Sequence, residues 1–442
     1  MQQMTRPDVF GCRSGLKAAR LTNSESVAVI GPLVNNFSPA TIDASESADA
    51  VRSPARRGLA RIWKGVVCLW KYLLGVVFCQ NLFTSVLVVG WTYRLVQRSV
   101  LKQWWKQSRI RSEGVSLEHF LTRSPQIHDP VYWPNWILRQ VPGAAVQRAN
   151  GLTFGPRFRA FLKALFHSLW LNLKTGAQGI FNTWVLTLPG CTLWLFAWYD
   201  GWNNSFNKGY EQAAVGPLTG IFGVMLFIAA MFYLPLAQAR QAATGQWRSF
   251  YQFRLVWSLV RRKWLACLGL AILYSTLSVP VTILKTVPVF FPQMKIEALA
   301  NATDPQALQI LKIYFFWASF VVFPAYVVLR LAAARIYAAS VLSAVQRGVI
   351  TEEALAEIEW EALHWLDLLE VQPRKTRHVL VRLVAWVGTR AGRMTVAVAI
   401  FLVWFTFVAQ IFTSEFLNYH PVIGWLNQPL VQLPWFHYIP LA

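Results

Sequence analysis

The sequence predicts an all-α, polytopic integral membrane protein. It would have five full spans, an N-terminal re-entrant hairpin or sixth span, and amphipathic helices lying at the interface. Three observations predict this. Of 442 residues, 55% are hydrophobic and only 14% charged, and mean hydropathy is +0.37, an unusual balance for a soluble chain. Apolar runs near the ~20 residues needed to cross a bilayer recur at 66–93, 176–199, 217–238, 264–284, 313–342 and 394–413. Basic residues alternate in density between successive connections.

Residues 1–58 read as a disordered basic tail. Its only apolar patch, "VAVIGPLV", is short and broken by Gly31 and Pro32, so no secretory leader is expected. Residues 59–111 form the first membrane element. Arg52, Arg56, Arg57, Arg61 and Lys64 precede the apolar run, and Arg94, Arg98, Lys102, Lys106, Arg109 and Arg111 follow it. Basic charge on both flanks opposes a single crossing. Halves split at Gln80 and Asn81, about 20 Å each, are too short to cross twice a core of ~30 Å. A hairpin with both ends inside is favoured, and a tilted single span is the alternative.

Residues 112–156 form an irregular, Pro-containing loop, in which His119 and His128 are spaced poorly for a metal. Residues 157–342 form a four-span core with interfacial helices. "RFRAFLKALFHSLWLNLK" at 157–174 and "VLKQWWKQSRIR" at 100–111 intersperse bases with aromatic rings, as a helix lying on the membrane would.

The clearest such segment is 239–263. Projected as a helix, Phe250, Phe253, Val256, Trp257 and Val260 share a sector of roughly 120°. Arg248, Arg254, Arg261, Arg262 and Lys263 fall outside it. With Trp257, these bases are the candidate lipid-interface residues, and Gly245 is the expected turn between span and surface helix.

Residues 343–393 are expected as a helical segment on the inner side. Within it, 351–371 reads as one soluble helix that Thr351 can cap. Leu355, Ile358, Ala362, Trp365 and Leu369 make a short seam. This seam folds back on the chain or docks a partner protein or a second copy. Residues 394–442 comprise the last span and an external tail. The 200–216 connection holds Lys208, 292–312 holds Lys295 and Lys312, and the tail after 413 holds no Lys or Arg. The basic connections therefore lie inside and the C-terminus outside.

The formal charge of +22 finds its natural counterion in anionic lipid headgroups. No nucleic-acid-binding motif accompanies it, so nucleic acid is not an expected partner. The five cysteines form no C-x-x-C pair and read as packing residues. No H-E-x-x-H, G-x-S-x-G or Walker A pattern occurs. Neither enzymatic activity nor a cofactor or metal is expected.

The intramembrane polar residues Asn182, Ser275, Arg330 and Arg335 allow an alternative, a passive or anion-selective solute pathway. The simpler readings are hydrogen bonding between helices for the first two and snorkelling for the arginines.

"LPLAQARQAATGQWRSFYQF" at 234–253 resembles a pattern in uncharacterised bacterial polytopic membrane proteins of the domain-of-unknown-function type. There a span ends in a turn like "LAQAR", Leu236 to Arg240, before an aromatic basic helix. The resemblance implies a bacterial inner membrane and no particular activity. In a eukaryotic protein, Asn203 and Asn301 would be glycosylation acceptors.

Overall fold

Asn81 breaks the first apolar run. Its backbone is extended (φ −126°, ψ 140°) and its Oδ1 accepts from the Phe83 amide at 2.9 Å, a cap that starts a new helix. The computed structural model describes residues 54–117, 120–121, 154–197, 215–291, 303–370 and 379–417, and among these no strand occurs. Residues 1–63 and 64–442 form separate units, and packing is described for the second. The expected N-terminal tail, most of the 112–156 loop including His119 and His128, Asn203, Asn301 and the tail after 417 lie outside the described residues.

Helix α1 (Pro54–Phe78) has 25 residues and α2 (Leu82–Gln107) has 26. The break falls at the expected Gln80–Asn81, but the helices do not stop where the apolar run does. Each is about 38 Å long at 1.5 Å per residue, so length alone no longer excludes two crossings. The aromatic segment at 100–111 is largely the end of α2 and not a separate surface helix. Trp104 is 1% exposed and donates its indole N–H to the Ala338 carbonyl at 3.0 Å.

A second correction concerns 157–174, expected as an interfacial helix before a span. Helix α3 (Phe154–Phe196) runs unbroken through both for 43 residues. Close approach to α2 holds its middle. A Cβ on Gly176 would lie 2.1 Å from the Val86 carbonyl oxygen, and one on Gly90 would lie 2.0 Å from the Asn172 carbonyl oxygen. Small residues let two backbones meet in this way within a membrane.

Helix α4 (Val215–Thr244) is the hub. It packs on α2, on α3, on α5 (Phe253–Arg262), on α6 (Trp264–Thr286) and on α7 (Asp304–Val345). It also meets α8 (Glu357–Trp365) and α9 (Val379–Leu417). Among the described residues, four helices are long and apolar enough to cross a membrane, with qualifying stretches at Leu218–Thr244, Trp264–Val281, Pro305–Val345 and Leu383–Thr406. The stretch in α4 is 56% buried in protein and that in α9 only 17%, which puts α4 at the centre and α9 at the edge. The other two expected spans are less apolar. Near the first, the qualifying apolar helix is the shorter Cys68–Phe78, while α3 is long but more polar.

The segment after α4 departs most from expectation. The helix continues past Gln238 to Thr244, so 239–244 belong to the span and are buried. Gly245 then turns the chain at φ +68°, as expected. A 3₁₀ turn (Trp247–Tyr251) and α5 follow. The apolar face of α5 and of the turn before it is packed against protein: Phe250 in the turn and Val256 in α5 are 0% exposed and Val260 5%. Phe253, half of which remains accessible, stacks on Tyr233 at 5.1 Å. Helical periodicity reveals an apolar face but not which apolar medium it meets.

The expected 351–371 helix is also shorter. A 3₁₀ turn (Glu352–Ala354) precedes α8, Thr351 makes no side-chain cap, and Asp367 at φ 54° ends the segment. Leu355 and Ala362 are buried, and Ile358, Trp365 and Leu369 pack against the same core. The seam is turned into its own protein. Trp365 stacks on Phe120 at 5.0 Å.

Candidate functional site

Among the described residues three arginines are buried: Arg94 of α2, 9% exposed, and two that lie deeper. Arg240, one turn before the end of α4, is 0% exposed, and Arg330, in α7, is 6% exposed. Burying a guanidinium is costly and it cannot shed its proton, so each needs compensation from its surroundings.

Arg240 has that compensation in full. Its Nη1 lies 3.1 Å from Glu359 Oε2, with both side chains 1% exposed. Its Nε donates to Gln252 Oε1 at 2.8 Å, Nη1 to the Tyr337 hydroxyl at 3.3 Å, and Nη2 to the Ala354 carbonyl at 3.2 Å. Glu359 in turn accepts from the Tyr337 hydroxyl and from the Ala356 amide, the latter at 3.0 Å. The carboxylate that caps α8 is therefore also the counter-charge of α4. This cluster ties α4, α7, α8 and the start of α5 into one knot. With both carboxylate oxygens and all three guanidinium nitrogens engaged, it clamps these elements together.

Asn182 belongs to the neighbouring layer. Its Nδ2 donates to Gln241 Oε1 at 3.2 Å and its Oδ1 accepts from the Tyr251 hydroxyl at 2.9 Å, while Gln238 donates to Thr183 Oγ1 at 2.7 Å. These bonds fix α3 to the end of α4. The Ser275 hydroxyl bonds back to the Ala271 carbonyl of its own helix at 3.0 Å. Arg335 is exposed and fits snorkelling, whereas Arg330 is enclosed and does not. Asn182, Ser275 and Arg330 share no hydrogen-bond partner.

Compared with known proteins, the chain matches no family model, no curated protein and no solved structure.

The six interface candidates divide. Arg248, Arg254 and Arg261 are exposed, whereas Trp257, Arg262 and Lys263 are half-buried. Arg262 Nε donates to Ser343 Oγ at 3.3 Å, and the Arg248 guanidinium lies over the Trp247 ring at 5.7 Å. Lys102, Lys106, Arg109 and Arg111 are exposed at the end of α2. Among the described residues, no cluster of His, Cys, Asp and Glu is grouped to hold a metal.

Sequence reasoning placed Arg240 only at the end of the LAQAR turn and missed Glu359 and Tyr337. A signal was available: Glu359 sits between Leu355 and Ala362 at helical spacing, an acid within an apolar stripe.

Proposed function

We propose that this chain is a non-enzymatic multi-pass membrane protein whose basic face, at the end of α4, binds anionic lipid. The observation that carries the reading is the division within 247–263. Apolar residues there anchor the segment to the bundle, while Arg248, Arg254 and Arg261 project outward. A basic surface fixed at the end of a membrane helix attracts acidic headgroups at about 1 kcal/mol per charge. The positive-inside rule puts this face on the cytoplasmic side and the C-terminus outside, and the 234–253 pattern favours a bacterial inner membrane. A protein partner or second copy at 351–371 would meet outward residues such as Glu353, Glu357 and Trp360, since the seam faces inward.

The test is retention of lipid by the purified full chain presented with equal phosphatidylglycerol and phosphatidylcholine. Preference for the anionic lipid is expected, falling by ~100-fold in affinity when Arg248, Arg254 and Arg261 are all changed to Gln, as three charges at that value imply. Equal retention of both lipids by the wild type would reject the proposal.

A further inference from the structure

Among the described residues, Arg330 has no carboxylate beside it. The groups acting on its charge are the phenols of Tyr326, from its own helix, Tyr274 of α6 and Tyr93 of α2. Its guanidinium lies over the Tyr326 ring, 5.0 Å from the centroid, and its Nε has no hydrogen-bond partner.

The phenols around it do not supply the missing counter-charge. Thr92 donates to the Val89 carbonyl at 2.6 Å, so in the 3.3 Å contact between Thr92 Oγ1 and the Tyr326 hydroxyl it is the tyrosine that donates. Tyr326 therefore offers the guanidinium its ring face. Tyr93 and Tyr274 are 4% and 2% exposed, and neither hydroxyl has a hydrogen-bond partner. The Tyr274 hydroxyl approaches Arg330, but as a neutral group it leaves the charge unbalanced. Gly179 packs closely on the Tyr93 hydroxyl, where a Cβ would lie 2.5 Å from the oxygen.

The enclosure thus gathers a permanent positive charge and phenol hydroxyls from three helices, with no negative group among the described residues to balance the charge. A lysine could lose its proton here, but an arginine cannot. Water would accept two of these bonds, yet it would bring two further donors and leave the charge uncompensated.

We infer that Arg330, Tyr93 and Tyr274 form an internal binding site for a small monovalent anion of halide size. Guanidinium and phenol donors converge on an anion from different directions, and a single buried positive charge is balanced by a single negative one. Arg240 serves as the internal contrast, because Glu359 supplies there the negative charge that no described residue supplies to Arg330. This site is separate from the lipid face.

The test uses the full chain in nanodiscs of neutral lipid, with chloride exchanged for gluconate at constant ionic strength. Thermal unfolding is the readout. Chloride is expected to raise Tm in a saturable way, and Arg330→Gln to abolish that dependence while leaving lipid selectivity unchanged. Tyr274→Phe keeps the charge and removes one donor, so the apparent chloride affinity should fall ~10-fold, the scale of a hydrogen bond to a charged group. The inference is overturned if the wild type unfolds at the same temperature in both salts. It is equally overturned if chloride stabilises wild type and Tyr274→Phe with equal affinity, a result that decides the matter even if Arg330→Gln does not fold.

Discussion

At the scale of single residues, the decisive pair is Arg240 and Glu359. A buried ion pair need not stabilise a fold relative to apolar residues, but removing one member strands the other. Glu359→Ala is therefore expected to cost about 3–5 kcal/mol, measured by unfolding in detergent. Combining it with Arg240→Met should recover much of that loss, because no charge is then left unpaired. Equal or greater loss in the double variant would mean that shape, and not charge, makes the contact. The sequence marked both residues as charged but could not pair them. They are 119 positions apart, and no local periodicity links such a separation. Arg330 and Arg335 make the same point, since adjacent turns of one helix place the first inside the bundle and the second outside.

At the scale of elements, glycine sets two joints that composition alone does not reveal. Gly245 lies at φ +68° with open space around its absent Cβ, so Gly245→Ala tests backbone strain without a clash. It should cost about 1–2 kcal/mol, and Asn there should cost less because its side chain tolerates the left-handed conformation. The α2–α3 crossing is a different case. Gly90→Leu or Gly176→Leu would drive a side chain into the opposing backbone, with an expected loss of about 1–3 kcal/mol or more. Wild-type unfolding of either Leu variant would mean that the crossing is looser than these distances imply. The turn at Gly245 was readable because glycine after an apolar run signals a boundary. The crossing was not, because glycine within a helix looks the same whether it faces lipid or another backbone.

At the scale of the whole molecule, charge asymmetry yields a prediction about orientation. In a chain freed of its native cysteines, Arg254→Cys on exposed α5 should stay protected from an impermeant thiol reagent added to intact cells. A cysteine replacing Ala442 should be labelled. The reverse pattern would invert the topology and move the proposed lipid face to the outer leaflet. The edge position of α9 belongs to this scale too. Leu380, Val384, Met394, Val398, Phe401 and Phe405 are each at least 60% exposed, a face that hydrocarbon can solvate without a protein neighbour.

By itself the sequence determined the helical class, the positions of the four long apolar helices among the six segments expected, the break near Asn81 and the basic character of one face. These depend on local hydropathy, capping and charge, which act over a few turns of chain. Only the tertiary structure decided where helices continue through expected boundaries, which side of α5 meets protein, and how the seam of α8 turns inward. It also separated two arginines that composition treats alike. Arg240 meets a carboxylate that another element carries to it, and Arg330 meets only phenols. That difference arises when distant elements enclose the same small volume, so it follows from packing and not from either residue's neighbours in the chain.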